Sequence, residues 1–472
     1  MVVNVYDLVV LGDHLGGLAA AALSAKRGKR VLVFEDEGSP AEGRPLEYLN
    51  AVTGGPEREA RLGRFFHELG LSPFGPLGDD RIHFKALHPP LQVILPAHRV
   101  NIYQDSVARD WEIEREFGDV QGPLAAIQER EEALREKLFR FRARSSGGEG
   151  TLPARTLRDF SRYFRFKSLS REAEVESFAR FLLSGSLPPS LADVLAGEVY
   201  GVTRAPADSL PWYVGMRSLQ VLQGGLYQNA SGQSGILNGL KEAFLRFGGE
   251  CRPFSPVASI ETPRAEEVHL NLADGDRVST NHLVVDLPLS RALKSFPSEV
   301  VKGLQKKGID KVEEEKGYGL MSFRVKPGWT LECMGGYLVI DPVAAGGGAA
   351  PVVLLSGQPG EADGEGEGSG MEALGVFPSS TTRSERQEAM WQRLKVLMPF
   401  LEQSVQGKTH FKDGSFGRYA PQKRNWRSVE AWYRTGRRTP SFQVPGLTFL
   451  RNDDYLATGL AEGLLSGIQA VS

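Results

Sequence analysis

The chain has 472 residues, 41% of them hydrophobic and 24% charged, with a formal net charge of −2. That balance excludes a disordered chain and gives no electrostatic reason to bind nucleic acid. The length exceeds one ordinary hydrophobic core, so two domains are expected.

Val2–Leu11 (VVNVYDLVVL) is a mostly apolar run that meets a glycine turn, the pattern of a buried strand. Gly16–Arg27 is rich in Ala and Leu and predicts a helix closed by Gly28, and KRVLVFE, residues 29–35, predicts a second buried strand. Strand, helix and strand in this order form a βαβ unit with parallel strands. Glu57–Leu69 reads as an amphipathic helix, and 81–103 as short strands broken by prolines. Gly122–Arg144 is a charged helix with acids and bases four apart, and helical segments continue to about Val199. Ile236–Phe247 predicts another amphipathic helix. Short strands follow it, with a hairpin at Asp274-Gly275. Strands are expected over Gly317–Val325, Gly336–Ile340 and Leu447–Leu450, and helices over Ser384–Gln403 and Ala457–Val471. Residues 344–350 and the Gly/Glu-rich 358–371 predict mobile loops.

A dinucleotide site on such a βαβ unit needs three glycines and an acid. The first glycine permits the tight turn, the second lets the backbone approach the pyrophosphate, and the third lets helix and strand pack. The helix N-terminus faces the phosphates, and an acid at the end of the second strand takes the ribose hydroxyls. Gly12 and Gly17 hold the first and third places, Gly16 adds room, and Glu35 stands at the end of the second strand. The second place is His14, with Asp13 beside it. Backbone torsions suited to glycine would cost a histidine there about 1 kcal/mol or more. Two readings stay open. Either the imidazole donates to a displaced phosphate, or the fold persists and the site has lost its dinucleotide.

GDHLGGLAAA resembles the opening G-x-G-x-G-G-L and alanine helix of the amine oxidase and phytoene desaturase flavoproteins. The resemblance recurs in order along the chain at SGILNGLKEAF, GGEC with PVASI, LADGDRVSTNHLVVDLPL and LTFLRNDDYLATGLAEGLLSGIQA. It implies an α/β fold, in which a Rossmann-like FAD/NAD(P)-binding domain carries a second α+β substrate domain of mixed antiparallel sheet and helices. The FAD domain would be discontinuous, at 1–75, 222–290 and 430–472, with 76–221 and 291–429 as the substrate or cap domain. The resemblance also implies FAD as cofactor. Val257 would turn its backbone to the adenine, Asp453 would bind the ribityl or phosphate part, and Gly459 would open a helix near the flavin ring. Of the glycine-glycine-arginine turn only Gly43 and Arg44 remain, with Arg44 a candidate for the flavin or phosphates, and Asn452 replaces the glycine before Asp453.

The implied activity is an FAD-dependent oxidation of an apolar small molecule. The alternative is a non-catalytic relative that keeps the fold as a binding or assembly module, as Rab GDP-dissociation inhibitors do. No catalytic residue is identifiable. His83, His88 and His98 lack metal-ligand spacing, so no metal is expected, and Trp212, Tyr213 and Tyr227 fit either an apolar ligand or a core. Cys251 and Cys333 suggest neither a disulfide framework nor a zinc site, and with no secretion signal a reducing cytoplasm is the expected location. No run of about 18 apolar residues predicts a membrane span. The arginines and aromatics of 139–167 leave peripheral membrane contact open, and the sequence is silent on oligomeric state.

Overall fold

A computed structural model describes residues 4–35, 51–53, 56–71, 82–143, 176–185, 187–203, 206–208, 210–229, 232–264, 267–287, 296–298, 302, 314–326, 337–340, 353–358, 369–418, 442–444, 446–450, 464, 467–468 and 470–471. The chain opens with β1 (Asn4–Leu11), α1 (Leu15–Lys26), β2 (Val31–Glu35), β3 (Ala51–Thr53) and α2 (Pro56–Glu68). Next come β4 (Phe84–Ala86), β5 (Leu91–Ile94), β6 (Arg99–Ile102), α3 (Ser106–Phe117), α4 (Gln121–Ala143), α5 (Phe178–Ser184), α6 (Pro189–Thr203) and α7 (Trp212–Leu222). The middle holds β7 (Leu226–Asn229), α8 (Gly232–Arg246), β8 (Glu250–Pro253), β9 (Val257–Arg264), β10 (Glu267–Leu272) and β11 (Arg277–Val285). The last part holds β12 (Glu314–Val325), β13 (Tyr337–Ile340), β14 (Val353–Gln358), β15 (Ser369–Pro378), α9 (Arg383–Leu397), α10 (Leu401–Ser404), β16 (Val405–Arg418), β17 (Phe442–Val444) and β18 (Leu447–Phe449).

The first sheet runs β17-β18-β11-β1-β2-β8, and all neighbours from β18 to β8 are parallel. Numbered by chain order, those five parallel strands stand 3-2-1-4-5, the doubly wound order. Direction of winding reverses between β1 and β11, so the carboxyl ends of those two strands flank the switch point where ligands bind in such sheets. A meander of β9, β10 and β11 closes one side. Both faces are covered. Val10 and Val33 pack among Leu18, Phe66 and Phe244 of the flanking helices, while Val9, Leu11, Leu32 and Phe34 pack against Val257 and Leu270 of the meander. Two buried faces explain why β1 and β2 read as continuous apolar runs. This is a Rossmann-like FAD/NAD(P)-binding fold carrying a second α+β unit.

That second unit is built on the sheet β16-β12-β15-β14-β13-β5-β6, antiparallel except for the β13–β5 pair. One face packs Val93, Val100, Leu320 and Val339 against Val194 and Tyr200 of α6, and the other packs Met321, Phe323 and Leu338 against Met390 and Leu394 of α9. A helical layer from α3 to α7 encloses Phe178, Phe181 and Trp212. A small third sheet, β3-β7-β4, is antiparallel.

Two expectations change here. The loop predicted over 358–371 begins and ends inside strands, since Gln358 closes β14 and Ser369–Met371 open β15. The helix predicted over Ser384–Gln403 stops at Leu397, and Leu401–Ser404 form a separate turn. Pro399 lies between them and cannot donate the backbone hydrogen bond that would continue the helix. Most of the helix predicted over Ala457–Val471 lies outside the described residues.

Candidate functional site at the switch point

Leu11 ends β1, and Gly12 turns the chain with φ +102, a left-handed conformation that favours glycine. The Gly12 N–H donates to the Phe34 carbonyl at 2.9 Å, and a side chain at Gly12 would run into the backbone carbonyl of Asp286. A Cβ at Gly17 would stand 2.8 Å from the Gly12 oxygen and 2.9 Å from Val10 Cγ1. The first and third glycines therefore do the turning and close packing that the motif assigns them. From the far end of the chain, the backbone of Gly467 packs directly on the backbone of Gly16.

His14 is the N-cap of α1, with φ −79 and ψ 178. These are extended torsions that any residue adopts, so the backbone strain expected at the second-glycine position is absent. The side chain is 3% exposed and makes no capping hydrogen bond to the helix. The cap comes instead from Asp286, just past β11, whose Oδ2 accepts the N–H of Gly17. Asp286 is 0% exposed, and its own N–H donates to the Leu11 carbonyl at 2.8 Å. Sequence reasoning did not single out this residue. The signal was present in LVVDLPL, where an acid directly follows an apolar strand run.

Glu35 closes β2 as expected, and its carboxylate is engaged within the chain. Lys241 Nζ of α8 lies 2.7 Å from Glu35 Oε1. Burial pushes the Glu35 carboxyl up, but hydrogen bonds from Lys241 and Cys251 and the lysine charge hold it below its usual value. Burial first, then the hydrogen bond to Glu35, pushes the Cys251 thiol up to about 12. Val257 opens β9, is buried against the first sheet and pairs in register with Leu272. The structure thus gathers Gly12, His14, Gly16 and Gly17 with Asp286 at the switch point, with Glu35 at the carboxyl end of the next strand. Arg44, Asp453 and Gly459 lie outside the described residues, as do Gly43 and Asn452.

A bound dinucleotide at this place needs open space beside the second-glycine position and a helix N-terminus whose amides and positive dipole face the phosphates. The turn and the close packing fit that requirement. The phosphate end does not. The His14 side chain occupies the second-glycine position and is covered by the protein, and a carboxylate already sits on the first turn of α1. Glu35, expected from the sequence as the ribose acid, has a lysine partner.

Five of the other candidates are engaged within the fold. Trp212 stacks on Phe181 at 5.5 Å and is fully buried in the helical layer. Tyr213 meets the Trp212 ring edge-on at 6.0 Å, and Tyr227 pairs within the small sheet. His98 Nδ1 lies 3.3 Å from Glu116 Oε2, and His88 packs on Tyr103. Among the described residues no group of three or more His, Cys, Asp or Glu is placed to hold a metal ion, and no helix is long and apolar enough to cross a membrane.

No family model matches the chain, and no curated protein sequence matches it. Solved structures do. Cyclohexylamine oxidase from Brevibacterium oxydans IH-35A is 15% identical, over 99% of this chain and 98% of that one, with a TM-score of 0.57. An oxidoreductase from Methanosarcina mazei is 13% identical, over 98% and 99% of the two chains, with a TM-score of 0.57. Putrescine oxidase in complex with putrescine is 14% identical, over 99% of each chain, with a TM-score of 0.55. At these identities the likeness establishes the fold over essentially the whole chain.

Proposed function

We propose that the chain is a non-catalytic relative of the flavin-oxidase fold, a binding or assembly module that no longer holds FAD. The reading rests on one observation, the filled phosphate end, where His14 is buried at the second-glycine position and Asp286 holds the Gly17 amide. The fold would keep its division into a discontinuous dinucleotide-type domain, 1–75, 222–290 and 430–472, and a cap formed by the segments between them. The cap sheet would then serve to bind an apolar molecule or a partner. The test is direct. The purified protein is scanned for flavin absorption, denatured, and assayed for released FAD. A colourless protein that cannot be reconstituted with FAD is the expected result, and stoichiometric FAD in the purified protein would overturn the reading.

A second reading is favoured by a different observation. Gly12, Gly17 and Glu35 keep the backbone turn, the close packing and the strand-end acid of a dinucleotide site. On that reading the protein is an FAD-dependent oxidoreductase of the amine oxidase or phytoene desaturase type, acting on an apolar small molecule. Bound FAD would supply the hydride chemistry, and Glu35 would have to exchange Lys241 for the ribose. His14→Gly separates its versions. Better FAD retention marks the histidine as an obstacle, and loss of FAD marks it as a ligand.

A further inference from the structure

We infer that Asp286 is the internal anion of this fold, a carboxylate that takes the place of a phosphate at the N-terminus of α1 and keeps external anions away from it. The inference rests on the reading that the dinucleotide has been lost, and it names what replaced it.

A helix N-terminus exposes amides without intrahelical partners and carries the positive end of the helix dipole. A side-chain acceptor on the N-cap residue ordinarily meets part of that demand. Here the N-cap is His14, which supplies no such acceptor. The acceptor arrives from a position 269 residues away, where Asp286 Oδ2 takes the N–H of Gly17, the third residue of α1.

Asp286 is held for this role. Its N–H is bonded to Leu11 at the end of β1, and its carbonyl lies against the Cα of Gly12, leaving no room for a side chain there. Both constraints follow from the parallel β1–β11 pairing, in which Leu11 stands opposite Val285. The strand register therefore aims the carboxylate at the helix end. Because Asp286 is wholly buried, its carboxylate is screened less by solvent than a surface one. Asp13, between Gly12 and His14, adds a second negative charge to the same loop. A pyrophosphate approaching the first turn of α1 would meet two carboxylates and a helix dipole already compensated by one of them.

The test compares two variants of the full chain, His14→Gly and His14→Gly/Asp286→Asn. The asparagine keeps an oxygen for the Gly17 N–H and nearly the same shape while removing the charge. Inorganic pyrophosphate is titrated into each by calorimetry, with circular dichroism and a melting curve as checks of folding. The neutral variant should bind pyrophosphate about tenfold more tightly or better, the size of effect expected for one charge at a buried helix N-terminus. Equal affinity in the two variants, or no binding by either, would overturn the inference. If the asparagine variant does not fold, Asp286→Ser, smaller and neutral, makes the same comparison. Released FAD from the wild-type protein reads the loss of the dinucleotide separately, so failure of that reading and failure of this one give different results.

Discussion

Glu198 offers a prediction with a calculable size. It lies on α6, two residues from Tyr200 and four from Val194, both of which pack on the second sheet, and it is only 2% exposed. Its Oε1 has no hydrogen-bond partner among the described residues. Burial pushes its carboxyl from 4.5 up to about 7, against a weaker opposing pull from the Arg109 charge. The folded state therefore holds this proton to higher pH than the unfolded chain does. The stabilisation is fully present below the unfolded pKa, is lost progressively as pH rises through this range, and levels off above the folded pKa. A rise from 4.5 to about 7 corresponds to about 3 kcal/mol in total, of which about 2.5 kcal/mol falls between pH 5 and pH 8. Glu198→Gln removes the titration and leaves a neutral side chain of nearly the same volume. Other titrating groups contribute equally to both proteins, so the difference in melting midpoint between variant and wild type isolates Glu198. That difference should widen in favour of the variant by roughly 5–10 °C from pH 5 to pH 8, taking about 2–4 °C per kcal/mol for a large domain. Scanning calorimetry at closely spaced pH values reads it. A difference that stays constant across the range would refute the burial argument.

Further outcomes follow from the packing. Gly17→Ala places a methyl group 2.8 Å from the Gly12 carbonyl oxygen, and such overpacking should cost about 1–3 kcal/mol, read as a lower urea midpoint. An unaffected midpoint would show that α1 can move off β1. Cys251, with its thiol pushed up to about 12, should react slowly with a disulfide reagent at pH 8 in the folded protein and quickly once denatured. Glu35→Gln should speed the folded-state reaction by removing the carboxylate beside the thiol, and an unchanged rate would assign the slow reaction to burial alone. Trp212 Nε1 is buried without a hydrogen-bond partner among the described residues, so Trp212→Phe removes a polar atom that gains nothing from its position. It should cost clearly less than Trp212→Ala, for which about 3–5 kcal/mol is expected. Equal losses in the two variants would show that the indole N–H has a stabilising partner.

The first βαβ unit was legible because its signals are local. Apolar runs over both strands, an alanine-rich helix and Gly28 at its end place β1, α1 and β2 within two residues of their observed bounds. The Asp274-Gly275 turn likewise marked the β10–β11 hairpin, where Gly275 has φ +93. β16 was missed. Its sequence, VQGKTHFKDGSFGR, carries three glycine breaks and little apolar alternation, and it is held by pairing along β12. β15 was missed in the same way, and its first residues, Ser369 and Gly370, have weak strand preference and gain their place from cross-strand partners on β12 and β14.

Position by position, the sequence alone determined where the chain must turn and pack closely. Gly12 and Gly17 are dictated by backbone torsion and by the distance between helix and strand, which neighbouring residues already imply. What the site does with charge was decided only by the tertiary structure. The partner of the α1 N-terminus is Asp286, and the partner of Glu35 is Lys241, each supplied by an element distant in sequence. Strand order and register bring these groups together, and neither is encoded in the periodicity of a single segment. The histidine that looked like a strained intruder sits in ordinary extended torsions, because the turn is made by Gly12 and the cap by a carboxylate from another strand.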